Sequence, residues 1–223
     1  MVYYLKIQLK NVSKPTVWRR ILVPAETPFD LLHDMIQVAY GWSQKHAYAF
    51  SPSGFGSSPW IVDEPVPSGY PDSPFRPKRK ELTAYQTRLC DMINTEGQTF
   101  IYIYDFGDAW VHEITLDKIN KLNIAPSAVL LGGNGATPPE DCGGPEGYKH
   151  FKEVLSDRKH PEFNELKKWL YETEYGVKED MFEAIEPFED DDDYELEVWN
   201  PKIYELEFTK EYFDEYFINI YEL

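Results

Sequence analysis

Tyr3, Leu5, Ile7 and Leu9 alternate with Tyr4, Lys6, Gln8 and Lys10, the two-residue period of a half-buried strand. Residues 3–12 and 17–24 predict two strands joined at Ser13-Lys14-Pro15-Thr16, where Pro15 fixes φ and donates no ladder bond. The period then changes. Thr27-Pro28-Phe29-Asp30 opens a helix, with Thr27 as the expected cap and Pro28 at the first helical position. Leu31, Leu32, Met35, Ile36, Val38 and Ala39 cover a wide apolar face as far as Tyr40, and Gly41 ends the helix. His46 to Phe50 predicts a third strand. Residues 51–80, rich in Pro, Ser and Gly, read as a long irregular connection.

Residues 99–105 and 109–117 predict a hairpin around Phe106-Gly107-Asp108, with Trp110, His112, Ile114 and Leu116 on one face. Residues 132–148 read GGNGATPPEDCGGPEGY and hold six of the 13 glycines. Ordering so glycine-rich a segment is entropically costly and asks for compensation from packing or from a partner. A helix is expected after it, with Tyr148, Phe151, Val154 and Leu155 inward. Another should follow Pro161, using Phe163, Leu166, Trp169 and Leu170. The acidic stretch Glu186–Glu197 separates these from a C-terminal piece, Val198–Leu223. No internal repeat is visible.

Composition narrows the class. The chain has 223 residues, 42% hydrophobic and 16% aromatic, which excludes a disordered chain and suffices for a sizeable core. No run of 18 apolar residues predicts a membrane span, and the N-terminal alternation is unlike a signal peptide. Two cysteines, Cys90 and Cys142, suit a reducing cytoplasm. The net charge is −17, and its negative part lies after residue 90, densest over 172–197 where Lys178 is the only base. Strong sequence-independent binding to nucleic acid is therefore not expected. Arg19 and Arg20 point to opposite faces of their strand and form no patch, Lys78–Lys80 suits a solvated loop, and no helix-turn-helix carries a basic recognition helix.

Four stretches carry a resemblance. They are Val17-Trp18-Arg19-Arg20, Leu32-His33 through Gly41-Trp42, Tyr104-Asp105-Phe106-Gly107-Asp108-Ala109-Trp110-Val111-His112, and Pro138-Pro139-Glu140-Asp141-Cys142-Gly143-Gly144. In order and combination they resemble the plasmid pRiA4b ORF-3-like family over roughly residues 3–185. The resemblance implies an α+β, roll-like domain, a mixed or antiparallel sheet packed with helices. One core domain is expected over 1–185, followed by an acidic segment and C-terminal extension over 186–223. The resemblance implies no mechanism. The family is largely uncharacterised, and some members are labelled as resolvase-like passengers of transposable elements.

The candidate chemistry lies in two segments. Asp105, Asp108 and His112 come from the hairpin, and Glu140, Asp141 and Cys142 from the glycine-rich loop, while His33 and His46 flank the first helix. Asp105, Asp108, His112, Glu140 and Asp141 are the candidate ligands of a divalent metal, although their spacing matches no standard metal motif. Each also has a structural reading. Asp beside glycine stabilises turns, His112 and His33 suit a core, His46 sits beside a strand start, and Cys142 suits a buried thiol. The candidate ligand site is the meeting of hairpin and loop, with Asp105, Asp108, Trp110, His112, Glu140, Asp141, Gly143, Gly144 and Tyr148. Two functions fit: a binding or interaction module for an unknown ligand or protein partner, or a metal-dependent hydrolase using the same carboxylates and His112.

Overall fold

One eight-stranded sheet organises the chain. The computed structural model describes residues 1–65, 79–121, 128–174, 200 and 202–217. Strands β1 (Val2–Leu9) and β2 (Trp18–Pro24) precede helix α1 (Phe29–Tyr40). Then come β3 (Tyr48–Ser51), β4 (Trp60–Val62), β5 (Glu81–Thr83) and the short helix α2 (Leu89–Met92). Strands β6 (Thr99–Tyr104), β7 (Trp110–Asn120) and β8 (Val129–Asn134) complete the sheet. Helices α3 (Gly144–Leu155), α4 (Phe163–Glu174) and α5 (Leu206–Phe217) follow. The strand order is β5-β4-β3-β6-β7-β1-β2-β8, antiparallel throughout except for the parallel pair β4–β5. This is the expected α+β class with a mixed sheet.

Period-two patterning fixes which face is buried. Tyr3, Leu5, Ile7 and Leu9 of β1 lie buried beside Trp110, Ile114 and Leu116 of β7, and Leu32, Met35 and Ile36 of α1 join them in one core. Register aligns Ile7 with Arg19 on one side and Ile114 on the other. Arg19 therefore enters the buried face and is fully enclosed. Its Nε donates to the Ala39 carbonyl at 2.9 Å, and Nη1 to the carbonyls of Trp18, Asn134 and Gly135 at 2.9–3.1 Å. Nη2 donates to Thr137 Oγ1, and the rings of Tyr40 and Tyr204 lie against the guanidinium at 4.7 and 3.6 Å. Arg20, one residue on, is exposed to the other side and pairs with Asp117 at 2.9 Å.

Three local expectations change. Thr27 does not cap α1: Pro28 is the N-cap with no side-chain cap bond, and the Phe29 N–H goes to the Thr87 carbonyl. Asp30 Oδ1 accepts from Leu31 N–H at 2.7 Å. The helix ends as expected at Gly41, left-handed at φ 74°, with Gly41 and Trp42 N–H returning to Val38 and Gln37 carbonyls. Within the supposedly irregular residues 51–80, β4 pairs with β3 through Phe50 and Ile61, too short a strand to leave an alternation. Residues 66–78 lie outside the described residues, as do those of the acidic stretch Glu186–Glu197. Strand β8 was hidden by Gly132 and Gly133, which weaken any strand pattern. Gly133 is needed there because a Cβ would collide with the ring of Tyr204.

Helix α5 packs against α1 and β8, and its Phe213 and Phe217 are buried in the same core. No disulfide joins Cys90 and Cys142. No helix among the described residues is long and apolar enough to cross a membrane.

Candidate ligand site

The hairpin turn between β6 and β7 is built around Asp105. Its backbone is left-handed at φ 53°, its Oδ1 accepts from Gly107 N–H at 2.8 Å, and its carbonyl accepts from Ala109 N–H at 2.7 Å. One carboxylate oxygen thus does turn chemistry, and the other, Oδ2, stands 3.8 Å from His46 Nδ1. On the far side of that ring, His46 Nε2 lies 3.3 Å from Asp141 Oδ1 in the glycine-rich loop. The donor atoms of His46, Asp105 and Asp141 all fall within 4.8 Å of one another.

Glycines allow the loop to reach the hairpin. Gly143 N–H donates to Asp108 Oδ2 at 3.2 Å. Gly144 has φ 68°, and a Cβ on it would run into the Asp108 carbonyl oxygen, backbone that cannot give way cheaply. Gly144→Ala is therefore expected to part loop from hairpin and to destabilise the fold by more than about 1 kcal/mol. Urea unfolding checks this, and a variant as stable as the parent would contradict the close approach.

The other candidates divide by what holds them. Glu140 is fully engaged: Oε1 accepts from the Tyr104 hydroxyl at 2.7 Å and Oε2 from Ser43 N–H at 2.9 Å. Burial and this carboxylate raise the Tyr104 phenol well above its ordinary range. Trp110 and Tyr148 are buried and meet edge-on at 6.5 Å, with the Tyr148 hydroxyl donating to the Ala136 carbonyl. Trp42 stacks on Tyr104 at 5.1 Å and donates its indole N–H to the Pro138 carbonyl at 2.9 Å, anchoring the loop. These residues fix the backbone that presents Asp105 and Asp141.

His112 does not join the three-donor group. It is completely buried among Tyr40, Trp42 and Tyr102, with Nδ1 at 3.1 Å from the Trp110 carbonyl and Nε2 without a hydrogen-bond partner among the described residues. Burial pushes its pKa down to about 3, so the ring is neutral. The imidazole that reaches the carboxylates is His46. Its position just before β3 carried little signal, because nothing local in the sequence says that β3 lies beside β6.

An open cavity of about 710 Å³ adjoins this group, and His46 and the hairpin-tip residue Phe106 line it. Asp30, His33 and Asp34 of α1 face it, as do Tyr48, Trp60, Asp63 and Glu64. Burial, helped by Asp30 and Asp63, pushes the Asp34 carboxyl up to about 6. These acids were not singled out in the sequence. Asp30 and Asp34 are one helical turn apart at the margin of the apolar arc, a spacing that could have flagged them.

His33 ends a buried polar chain. Gln44 N–H donates to Gln37 Oε1 at 3.1 Å, which orients the amide so that Nε2 donates to the Tyr102 hydroxyl at 2.9 Å. That hydroxyl stands 2.8 Å from His33 Nδ1. Having accepted from Gln37, it satisfies its own buried proton by donating to Nδ1, so neutral His33 carries its proton on Nε2. Burial holds its pKa down near 3, and the ring stacks on Tyr48 at 3.7 Å.

Comparison with known proteins places this architecture. The chain is 33% identical over 192 residues to the uncharacterized protein y4hQ of Sinorhizobium fredii, covering 85% of this chain and 91% of that one. Its fold is similar to the crystal structure of MM3350, a protein of unknown function from Methanosarcina mazei Go1, with a TM-score of 0.67 and 27% identity. That match covers 92% of this chain and 96% of the other. The model of the plasmid pRiA4b ORF-3-like protein family matches residues 1–186, and the chain belongs to that family.

Proposed function

We propose that the protein is a binding module whose ligand site is the meeting of the Tyr104–His112 hairpin with the Pro138–Tyr148 loop, and that a divalent cation is held there by His46, Asp105 and Asp141. The observation that carries this reading is the convergence of three donors from three separate segments within 4.8 Å. One imidazole and two carboxylates suit Zn²⁺ or Mn²⁺ and leave coordination positions open. Asp105 is held by its own turn bond, and the backbone at Asp141 by a loop pinned at Pro138, Glu140 and Gly143, so both residues are positioned before an ion arrives. The net charge of −17 argues against generic nucleic acid as the ligand.

A second reading, a metal-dependent hydrolase, draws on the cavity beside the same three residues. A bound ion would supply Lewis acidity there, while His46, Asp105 and Asp141 would hold it. His112, buried and neutral, has no part in either reading. Titration calorimetry with Zn²⁺ and Mn²⁺ tests the site. One ion per chain is expected, and Asp141→Asn or Asp105→Asn, the latter keeping the turn acceptor, should weaken it at least about tenfold. His112→Phe should leave binding unchanged. No saturable binding of either ion, or equal affinity in the Asp variants, would refute the assignment.

A further inference from the structure

The cavity beside His46 is acid-rich, with more carboxylates than cations among the described residues. Five carboxylates line it, those of Asp30, Asp34, Asp63, Glu64 and Glu81, against one guanidinium, Arg79. Arg79 and Glu81 stand together at 3.7 Å. The side chains of Asp34, Asp63 and Glu64 have no hydrogen bond or ion pair among the described residues. The crowding is felt chemically, since Asp30 and Asp63 add to burial in raising the Asp34 carboxyl.

The remaining walls say which cation fits. Tyr48, Trp60 and Phe106 give the cavity aromatic surface. Arg79 already lies over Trp60 at 3.8 Å from the ring centre, so a guanidinium stacks on this wall. A single metal ion does not match these acids. Among the described residues only His46, Asp105 and Asp141 form a three-donor group within metal-sharing distance, and no three of the cavity acids do. Separated carboxylates suit a broad, planar cation that forms several hydrogen bonds at once. The fourth observation is His33, only 6% exposed yet lining the cavity, whose Nε2–H has no hydrogen-bond partner among the described residues. A donor there asks for a neutral acceptor on the ligand, next to its charge.

We propose that this cavity binds the side chain of an arginine residue presented by a peptide, with the guanidinium among Asp34, Asp63 and Glu64, the methylene stem against Tyr48 and Phe106, and a peptide carbonyl accepting from His33 Nε2. The inference rests on reading this region as a ligand site, but it does not need a metal at His46. An amide carbonyl supplies the acceptor without adding the negative charge that a free amino acid would bring.

The test is calorimetry on the full chain with three probes: N-acetyl-arginine methylamide, its uncharged norleucine counterpart, and spermidine, which is cationic but has no carbonyl. The arginine probe is expected to bind saturably and at least about tenfold more tightly than norleucine, a difference of about 1.4 kcal/mol. Spermidine should be weaker than the arginine probe. The double substitution Asp34→Asn with Asp63→Asn should weaken the arginine probe at least tenfold. That variant relieves like-charge crowding, so loss of folding is not expected, and circular dichroism checks it. Asp141→Asn should leave the arginine probe unaffected while weakening metal binding at least about tenfold, which separates failure of the metal site from failure of this one. Norleucine binding as well as arginine, spermidine binding more tightly, or an unchanged affinity in the double variant would each overturn the proposal.

Discussion

Replacing Arg19 by methionine is expected to lower the stability of the fold by at least about 3 kcal/mol. Methionine keeps an unbranched stem of similar reach, so the loss isolates the guanidinium. Arg19 is fully buried, and its described partners are carbonyls, a hydroxyl and two tyrosine rings, with no carboxylate among them. Desolvation lowers its pKa, yet the group stays charged because ordered dipoles and ring faces surround it. Removing it takes the guanidinium from the carbonyls of Asn134 and Gly135 and leaves Ala39 only the Tyr204 hydroxyl at 3.3 Å; a buried carbonyl left without a partner costs about 1–3 kcal/mol. Arg19→Lys should not rescue the fold, since one ammonium cannot span β2, β8 and the end of α1 as the fork does. Urea unfolding at pH 7.5 reads the effect. A loss below about 1 kcal/mol in Arg19→Met would show that burial of the unpaired charge costs as much as its bonds return.

Stability is also expected to fall steeply below pH 6.5. His33 and His112 are both pushed down to about 3 by burial, whereas in the unfolded chain a histidine titrates near 6.5. Between those values the unfolded state binds more protons, so stability is full above the unfolded pKa and declines as pH drops toward the folded one. Each ring contributes a slope of about 1.4 kcal/mol per pH unit, and the two together remove on the order of 4 kcal/mol between pH 6.5 and 5. Asp34 acts in the opposite sense, because its folded pKa near 6 makes the folded state the better proton acceptor between about 4 and 6. Its side chain is only half-buried, so solvent weakens that opposition. Unfolding free energies at pH 7.5, 6 and 5 test the balance. His112→Phe keeps the edge contacts with Tyr40 and Trp42 and should reduce the slope by about 1.4 kcal/mol per unit. An unchanged slope would mean that His112 is not the neutral, enclosed ring described.

The parts of the fold legible in the sequence are those with enough residues to show a period. Strands β1, β2, β6 and β7 and helices α1, α3 and α4 each carry a run of inward apolar positions, and each forms near the expected residues. Strand β4 is three residues long after Pro59, and β8 ends in glycine-rich chain, so neither shows a period. Arg19 shows the limit of residue-type reasoning. Alternation put it opposite Arg20, so each face of β2 carries one arginine, and residue type alone did not say that a guanidinium would enter the core.

The meeting of the two segments that form the candidate site was legible in outline. Paired glycines and a turn-forming Asp marked the two segments, and the fold brings Asp105 and Asp108 beside Asp141 and Gly143. Which imidazole accompanies them was not legible. His112 lies on the same hairpin as Asp105 and Asp108, but the strand period turns its ring into the core, while His46 arrives through the β3–β6 pairing. The cavity acids come from α1, from the segment after β4 and from β5, so only the folded sheet makes them neighbours.

The imidazole resonances of the five histidines, followed by ¹H–¹³C NMR during titration with Zn²⁺, test the central claim most directly. One equivalent is expected to shift His46 and to leave His33 and His112 unmoved. Saturable binding that leaves His46 in place, or that shifts His112 instead, would contradict it.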